Sequence, residues 1–318
     1  MVSQVTTLQR LEPREVPLGG LRAMTVRRTI PHRDRTLVGA WCFADHFGPS
    51  TTRMDVAPHP HCGLQTVTWL FDGEIEHRDS EGNVQLIHPG EVNLMTAGNG
   101  ISHSEVSRSA DLRGVQLWVA QPDGDRNGTN AFDHFATAVT ELPVMSGEAT
   151  ARVFVGELEG ASSPVRTFSP LVAAEIELAP GTAVDIAVDP TFEHAVLLDD
   201  GDLTVAPGDA TEDEALVLQH AELGLVDPGR QHLRFISGDV PARAILIGGT
   251  PLDEDIIMWW NFVARTHEEI VAARDEWQAD SGRFGQVKGY DGPVDRIPAP
   301  ELPPLRLKPR KARPHQDH

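Results

Sequence analysis

The stretch QTVTWLFDGEIEHRDSEGNVQLIHPGEVNLM, residues 65–95, decides the fold. It breaks into β-rich runs, QTVTWLF, EIEHR, VQLIH and EVNLM, separated by Asp72-Gly73, Ser80-Glu81-Gly82-Asn83 and Pro89-Gly90. Asp-Gly and Gly-Asn steps supply the positive φ that tight hairpins need, so each break reads as a reversal between antiparallel strands. The Gly98-Asn99-Gly100 loop and GVQLWVA at 114–120 extend the series. Short strands at this spacing predict an antiparallel sandwich or barrel.

Working outward, the same rhythm returns in the second half. VDIAV, EHAVLL, DLTVA, LGLV and HLRFI alternate with Asp189-Pro190, Asp200-Gly201 and Pro228-Gly229. Sliding WLFDGEIEH onto LLDDGDLTV superposes Gly73 on Gly201, and sliding EVNLMTAG onto ELGLVDPG superposes Gly98 on Gly229. We read an internal duplication of one β-barrel unit, with boundaries expected at 1–135 and 136–292. A helix near 267–279 is expected within the second unit. It is announced by the capping box Thr266…Glu269, with Ile270, Val271, Arg274 and Trp277 at helical spacing. Arg274 reads as a stem on the surface with its head in water. Residues 293–318 are proline-rich and basic, a tail or a strap on the domain surface.

Composition limits the function. The 318 residues carry 47 acidic and 27 basic side chains, a formal net charge of −20. Such a chain repels a phosphate backbone, so no direct nucleic-acid contact is expected. The N-terminus lacks the apolar core of a signal peptide, and no run of about 18 apolar residues occurs, so no membrane span is expected. Cys42 and Cys62 are the only cysteines, which suits a reducing compartment, by default the cytoplasm. Arg22, Arg27, Arg28, Arg33 and Arg35 form a basic run, read as ion-paired with neighbouring acids rather than as a partner-binding patch.

Chemistry concentrates in two dipeptide spacings. Residues two apart on a strand share a face, so His59 and His61 in HPHCG project together, and so do His103 and Glu105 in ISHSE. Either pair alone could be a chance feature of a polar strand. Brought together inside one barrel, three imidazoles and a carboxylate would bind a first-row divalent metal and leave one or two positions open. Cys62 follows His61 directly and points to the other face, where a buried apolar role is expected.

PHPHCGLQTVTWLFDGEIEHRDSEGN at 58–83 and IHPGEVNLMTAGNGISHSE at 87–105 closely resemble the pirin family of the cupin superfamily. RRTIPHRDRTLVGAWCFADHFGP and GVQLWVAQP extend the match, and ILIGGTPLDEDIIMWWNFVARTHEEI with GRFG resembles the end of the pirin C-terminal domain. The resemblance implies an all-β bicupin, two antiparallel β-barrels packed together, with one metal in the N-terminal barrel. The family's ligands fall on His59, His61, His103 and Glu105, and its metal is typically Fe(II), with Mn, Ni, Cu, Co or Zn as alternatives. It further implies either quercetin 2,3-dioxygenase activity on a flavonol and O2, with Glu105 as general base, or a non-enzymatic redox-responsive regulator that binds a partner protein. Gln65, Asn99, His77 and Trp118 are candidates to line or support the site. Typical pirins carry Arg at the positions of Cys62 and Asn99 and Glu at that of Gln65. By the two offsets, the ligands align with Ala187, Asp189, Arg234 and Ile236, so the second barrel is expected to lack the metal. Trp118, Trp259 and Trp260 read as packing residues.

Overall fold

A computed structural model describes residues 8–18, 24–208 and 214–311; Arg22 of the basic run and the last residues of the basic tail lie outside them. The chain forms two compact units. The histidine unit takes its described residues from Glu15–Leu37, Cys42–His134 and Leu252–His318, and the second unit from Met1–Arg14, Val38–Trp41 and Phe135–Pro251. These divisions differ from the expected linear boundaries. The last segment, including the helix, groups with the histidine unit and not with the second repeat.

The histidine unit is a pair of antiparallel sheets rather than one closed barrel. One runs in the order Ala131–Ala136, Glu91–Thr96, Leu64–Asp72, Leu112–Ala120, Trp41–Ser50, Thr25–Ile30, Arg14–Pro17. The other runs Asp55–His61, Ile101–Ser107, Ile75–Asp79, Val84–Ile87. The second unit repeats this order: Leu223–Val226, Glu193–Asp200, Ala242–Gly249, Leu171–Leu178 and Ala149–Val155 in one sheet, Ala183–Ala187, His232–Ser237, Leu203–Pro207 and Leu216–Leu218 in the other. The duplication read from the sequence is therefore a duplication of topology.

The aligned glycines show why the repeat is visible in sequence. Gly73 and Gly201 take φ of 88° and 80°, and a Cβ on either would lie 2.2 Å from the Asp111 carbonyl oxygen or 1.9 Å from that of Pro241. Only glycine fits either turn.

The two interiors differ. In the second unit Val184, Ile186, Leu233 and Phe235 fill the core, while Asp185 and Arg234 pair across the outer face with both N–O distances at 2.7 Å. Ala187, Asp189 and Ile236 are exposed. The sequence offsets had set Ala187, Asp189, Arg234 and Ile236 at the ligand positions, and this is corrected by one residue. Because strand faces alternate, that slip exchanges inside for outside. The positions that face inward carry aliphatic and aromatic side chains with no donor atom for a metal.

The helix, His267–Gln278, has the predicted capping box: Glu269 N–H donates to Thr266 Oγ1 at 3.3 Å, and Thr266 N–H donates to Glu269 Oε2 at 3.1 Å. Ile270, Ala273 and Trp277 bury its inner stripe against Phe262, Phe284 and Cys62. The chain beyond it forms a strap. Ile297 N–H donates to the Pro58 carbonyl at 2.8 Å, and Trp277 Nε1–H donates to the Ile297 carbonyl at 2.9 Å. The Arg274 head, expected in water, stays at the surface, where it donates to the Pro300 carbonyl at 2.9 Å and to Asp275 Oδ1 at 2.8 Å. Among the described residues no helix is long and apolar enough to cross a membrane.

Candidate metal centre

Three adjacent strands of the smaller sheet carry the site. Ile101–Ser107 lies in the middle, with Asp55–His61 on one side and Ile75–Asp79 on the other. The register sets His103 opposite His59 on the first and opposite Asp79 on the second, and Glu105 opposite His77. A shift in pairing between His103 and Glu105 leaves Glu105 opposite Val56, not Ala57. Alternation does the rest: Cys62 falls on the far side from His61 and packs with Phe262 and Trp277. Burial pushes its thiol up to about 12.

His59, His61 and His103 bring their ligand atoms within 4.8 Å of one another, and His77, His103 and Glu105 form a second such group. The two triads share His103 and hold five residues in all: the expected His59, His61, His103 and Glu105, with Glu105 grouped apart from His59 and His61, and His77 in addition. His61 Nε2 and His103 Nε2 stand 3.1 Å apart. His59 donates its Nδ1–H to the Ala57 carbonyl at 2.9 Å, and His61 donates its own to the Asn261 carbonyl at 3.1 Å. A ring that donates from Nδ1 holds a free lone pair on Nε2. His61 thus turns a lone pair toward His103 Nε2, which can meet it with a proton or share a cation with it. With metal–nitrogen bonds of about 2.1 Å, that separation suits two neighbouring positions on one ion.

Burial keeps these rings in the ligand form. Desolvation holds His59 down to about 4 and His61 and His103 well below the usual histidine range, each reinforced by the other rings. The same burial pushes Glu105 up, against the opposing pull of His77 and of the Thr68 hydroxyl. Thr68 donates to Glu105 Oε1 at 3.0 Å, and its oxygen lies 2.9 Å from the Gln116 side-chain amide.

Of the supporting candidates, two join the site. Trp118 meets the His61 ring edge-on at 5.1 Å, and its other side stacks on Phe43 at 4.0 Å. Arg28, paired with Asp45 through two bonds of 2.7 and 2.8 Å, sits 4.2 Å above the Phe43 ring. His77 reaches His103, with their Nδ1 atoms 3.3 Å apart. The other two do not join. Gln65 lies on the opposite face of its strand from Thr66 and Thr68 and donates to Thr96 Oγ1 at 2.8 Å. Asn99 is exposed, and its carbonyl accepts from Arg283 Nε at 2.8 Å.

Sequence reading missed Thr68, Asp79 and the Asn261 carbonyl. The i, i+2 rule that picked out the candidate ligands applies equally to His77 and Asp79 in EHRDS and could have found the pair. A backbone carbonyl 200 positions from its partner leaves no sequence signal.

Comparison with known proteins identifies the family. The Pirin family model matches residues 22–119 and the Pirin C-terminal cupin domain matches 173–285. A Pseudomonas aeruginosa protein named "Putative quercetin 2,3-dioxygenase PA1205" is 39% identical over 306 residues, covering 93% of this chain and 91% of its own. A solved structure titled quercetin 2,3-dioxygenase, from Acinetobacter baumannii, is 36% identical with a TM-score of 0.83, covering 95% of this chain and 98% of its own. The Escherichia coli pirin YhhW, solved in complex with nickel(II), shares the fold at 15% identity and a TM-score of 0.58, covering 77% of this chain and all of its own. With its repeated topology, its histidine cluster and matches spanning both repeats, the chain belongs to the pirin family of bicupin proteins.

Proposed function

We propose that this protein is a metal-dependent dioxygenase that opens a flavonol ring with O2, using His59, His61, His103 and Glu105 as ligands. The observation that carries the reading is the pair of opposed Nε2 atoms, 3.1 Å apart, on rings kept neutral by burial. Fe(II) is the proposed occupant, and Mn, Ni, Cu, Co or Zn would suit the same neutral imidazole and carboxylate donors. When bound, the ion would act as a Lewis acid on adjacent hydroxyl and carbonyl oxygens of the substrate.

The chain's own residues do the rest. Glu105 takes the proton from the substrate hydroxyl, and burial strengthens it as a base by raising its proton affinity. Thr68 holds Oε1 of Glu105 and so fixes the orientation of the carboxylate. Trp118, backed by Phe43, forms an aromatic wall beside His61 that a planar ring system can face. His59, His61, His103 and Glu105 are each at most 7% exposed, which limits competing water.

Iron-loaded protein mixed with quercetin should consume O2 and bleach the flavonol absorbance. His61→Ala should lose both turnover and stoichiometric metal, while Cys62→Ala should keep both. Turnover no faster than that of free iron would end the enzymatic reading and leave metal binding standing.

A further inference from the structure

The three ring ligands are anchored in two different ways. His59 and His61 give their Nδ1 protons to main-chain carbonyls, those of Ala57 and Asn261. His103 finds another histidine instead, with its Nδ1 3.3 Å from His77 Nδ1. Two ring nitrogens that meet need one donor and one acceptor, so the proton placement on one ring sets that on the other. What fixes His77 therefore fixes His103.

His77 is fixed from behind. Its Nε2 lies 3.4 Å from Asp79 Oδ2, and both residues are 2% exposed. Asp79 is itself held in place. Its Oδ1 accepts from the backbone N–H of Glu81 at 3.0 Å and of Asn83 at 2.9 Å, and its Oδ2 accepts from Asn83 Nδ2 at 2.8 Å. Both carboxyl oxygens of Asp79 thus already act as acceptors, which sets it up to accept from His77 as well. A carboxylate has no proton to give. His77 donates its Nε2–H to Asp79, and with that as its one proton it presents a lone pair on Nδ1. Phe132 stacks on the His77 ring at 4.7 Å and keeps it in this plane.

We infer that Asp79 and His77 are positioning residues that lock His103 as the Nδ1–H tautomer, leaving its Nε2 lone pair aimed at His61 for a metal. Ligating histidines commonly donate their second ring proton to a carboxylate or a carbonyl. Here the carboxylate acts one ring further back. The inference rests on the metal-site reading above, and its test is arranged so that the two can fail separately.

The test uses the full-length protein and Ni(II) as probe. Nitrogen-15 NMR of the metal-free wild type should report His103 as the Nδ1–H tautomer and His77 as Nε2–H. Asp79→Asn keeps an oxygen for the Glu81 and Asn83 amides and turns an N–H toward His77, which should reverse both rings. Chelator competition should then show Ni(II) affinity down by about 10- to 100-fold. His77→Leu should lose affinity to a similar degree. His77→Gln, which carries an acceptor and a donor on one planar group, should recover most of it. Unchanged tautomers and wild-type affinity in Asp79→Asn would overturn the inference while leaving the metal site intact. A His77→Gln protein as weak as His77→Leu would make His77 itself a ligand and overturn it too. If the wild type takes up no stoichiometric Ni(II) and matches His61→Ala, the site reading falls and this one with it.

Discussion

Thr68 shows how a single hydroxyl tunes the centre. Its hydrogen bond favours the ionised form of Glu105, opposing the burial that raises this carboxyl. Thr68→Val keeps the shape of the side chain and deletes the donor. The Glu105 pKa should then rise further, so the acid limb of the pH–rate profile should move to higher pH. A hydrogen bond to a charged group is worth about 1.5–3 kcal/mol, so the shift should be measurable by steady-state rates in a pH series. At this scale the sequence was informative where spacing alone decides the geometry. His59, His61, His103 and Glu105 were legible because a strand has period two. Gln65 was a candidate through the family pattern, but its strand turns it to the other face, where it donates to Thr96. Asp79 shares the i, i+2 spacing with His77, whereas Thr68 is ordinary by type and only its contact across the sheets gives it a role.

Among the elements, the final helix departs most from its expected setting. Its start was legible because the capping box is a local hydrogen-bond pattern, and Thr266→Ala should cost about 1 kcal/mol in a urea titration. Its address was not legible, because which unit a helix packs on depends on contacts distant in sequence. The inner stripe of Ile270, Ala273 and Trp277 belongs to the cluster that includes Cys62 and Phe262. Trp277→Ala removes a buried indole and its bond to the Ile297 carbonyl. Such a truncation costs about 3–5 kcal/mol, and the melting temperature should fall accordingly. The slip of the repeat alignment belongs at this scale as well. Glycine turns fixed the hairpins, but a one-residue difference between turn and strand was invisible until Ile186 and Leu233 were seen facing inward.

For the whole molecule, acid is the natural stress. Burial holds His59 near 4, far below its ordinary 6.5, and does the same to His194 in the other unit. In both cases the folded state binds fewer protons than the unfolded one. The resulting stability is fully present above 6.5 and is lost as pH falls from there toward about 4. The melting temperature of metal-free protein should therefore drop through that window. Metal should protect the histidine unit, since bound ligands resist protonation. A chelator should thus move the acid transition to higher pH. The fold class and the repeat were legible because turns and alternation recur along the chain. The grouping of residues 252 onward with the histidine unit was not, since nothing local encodes it.

The bond from His61 to the Asn261 carbonyl spans 200 positions. During synthesis, every ligand has left the ribosome long before that carbonyl is joined to the chain. A nascent or truncated chain thus carries all four ligands but lacks the acceptor that orients one of them. If these residues hold a metal as proposed, its tight loading would be a late event that separates finished molecules from fragments.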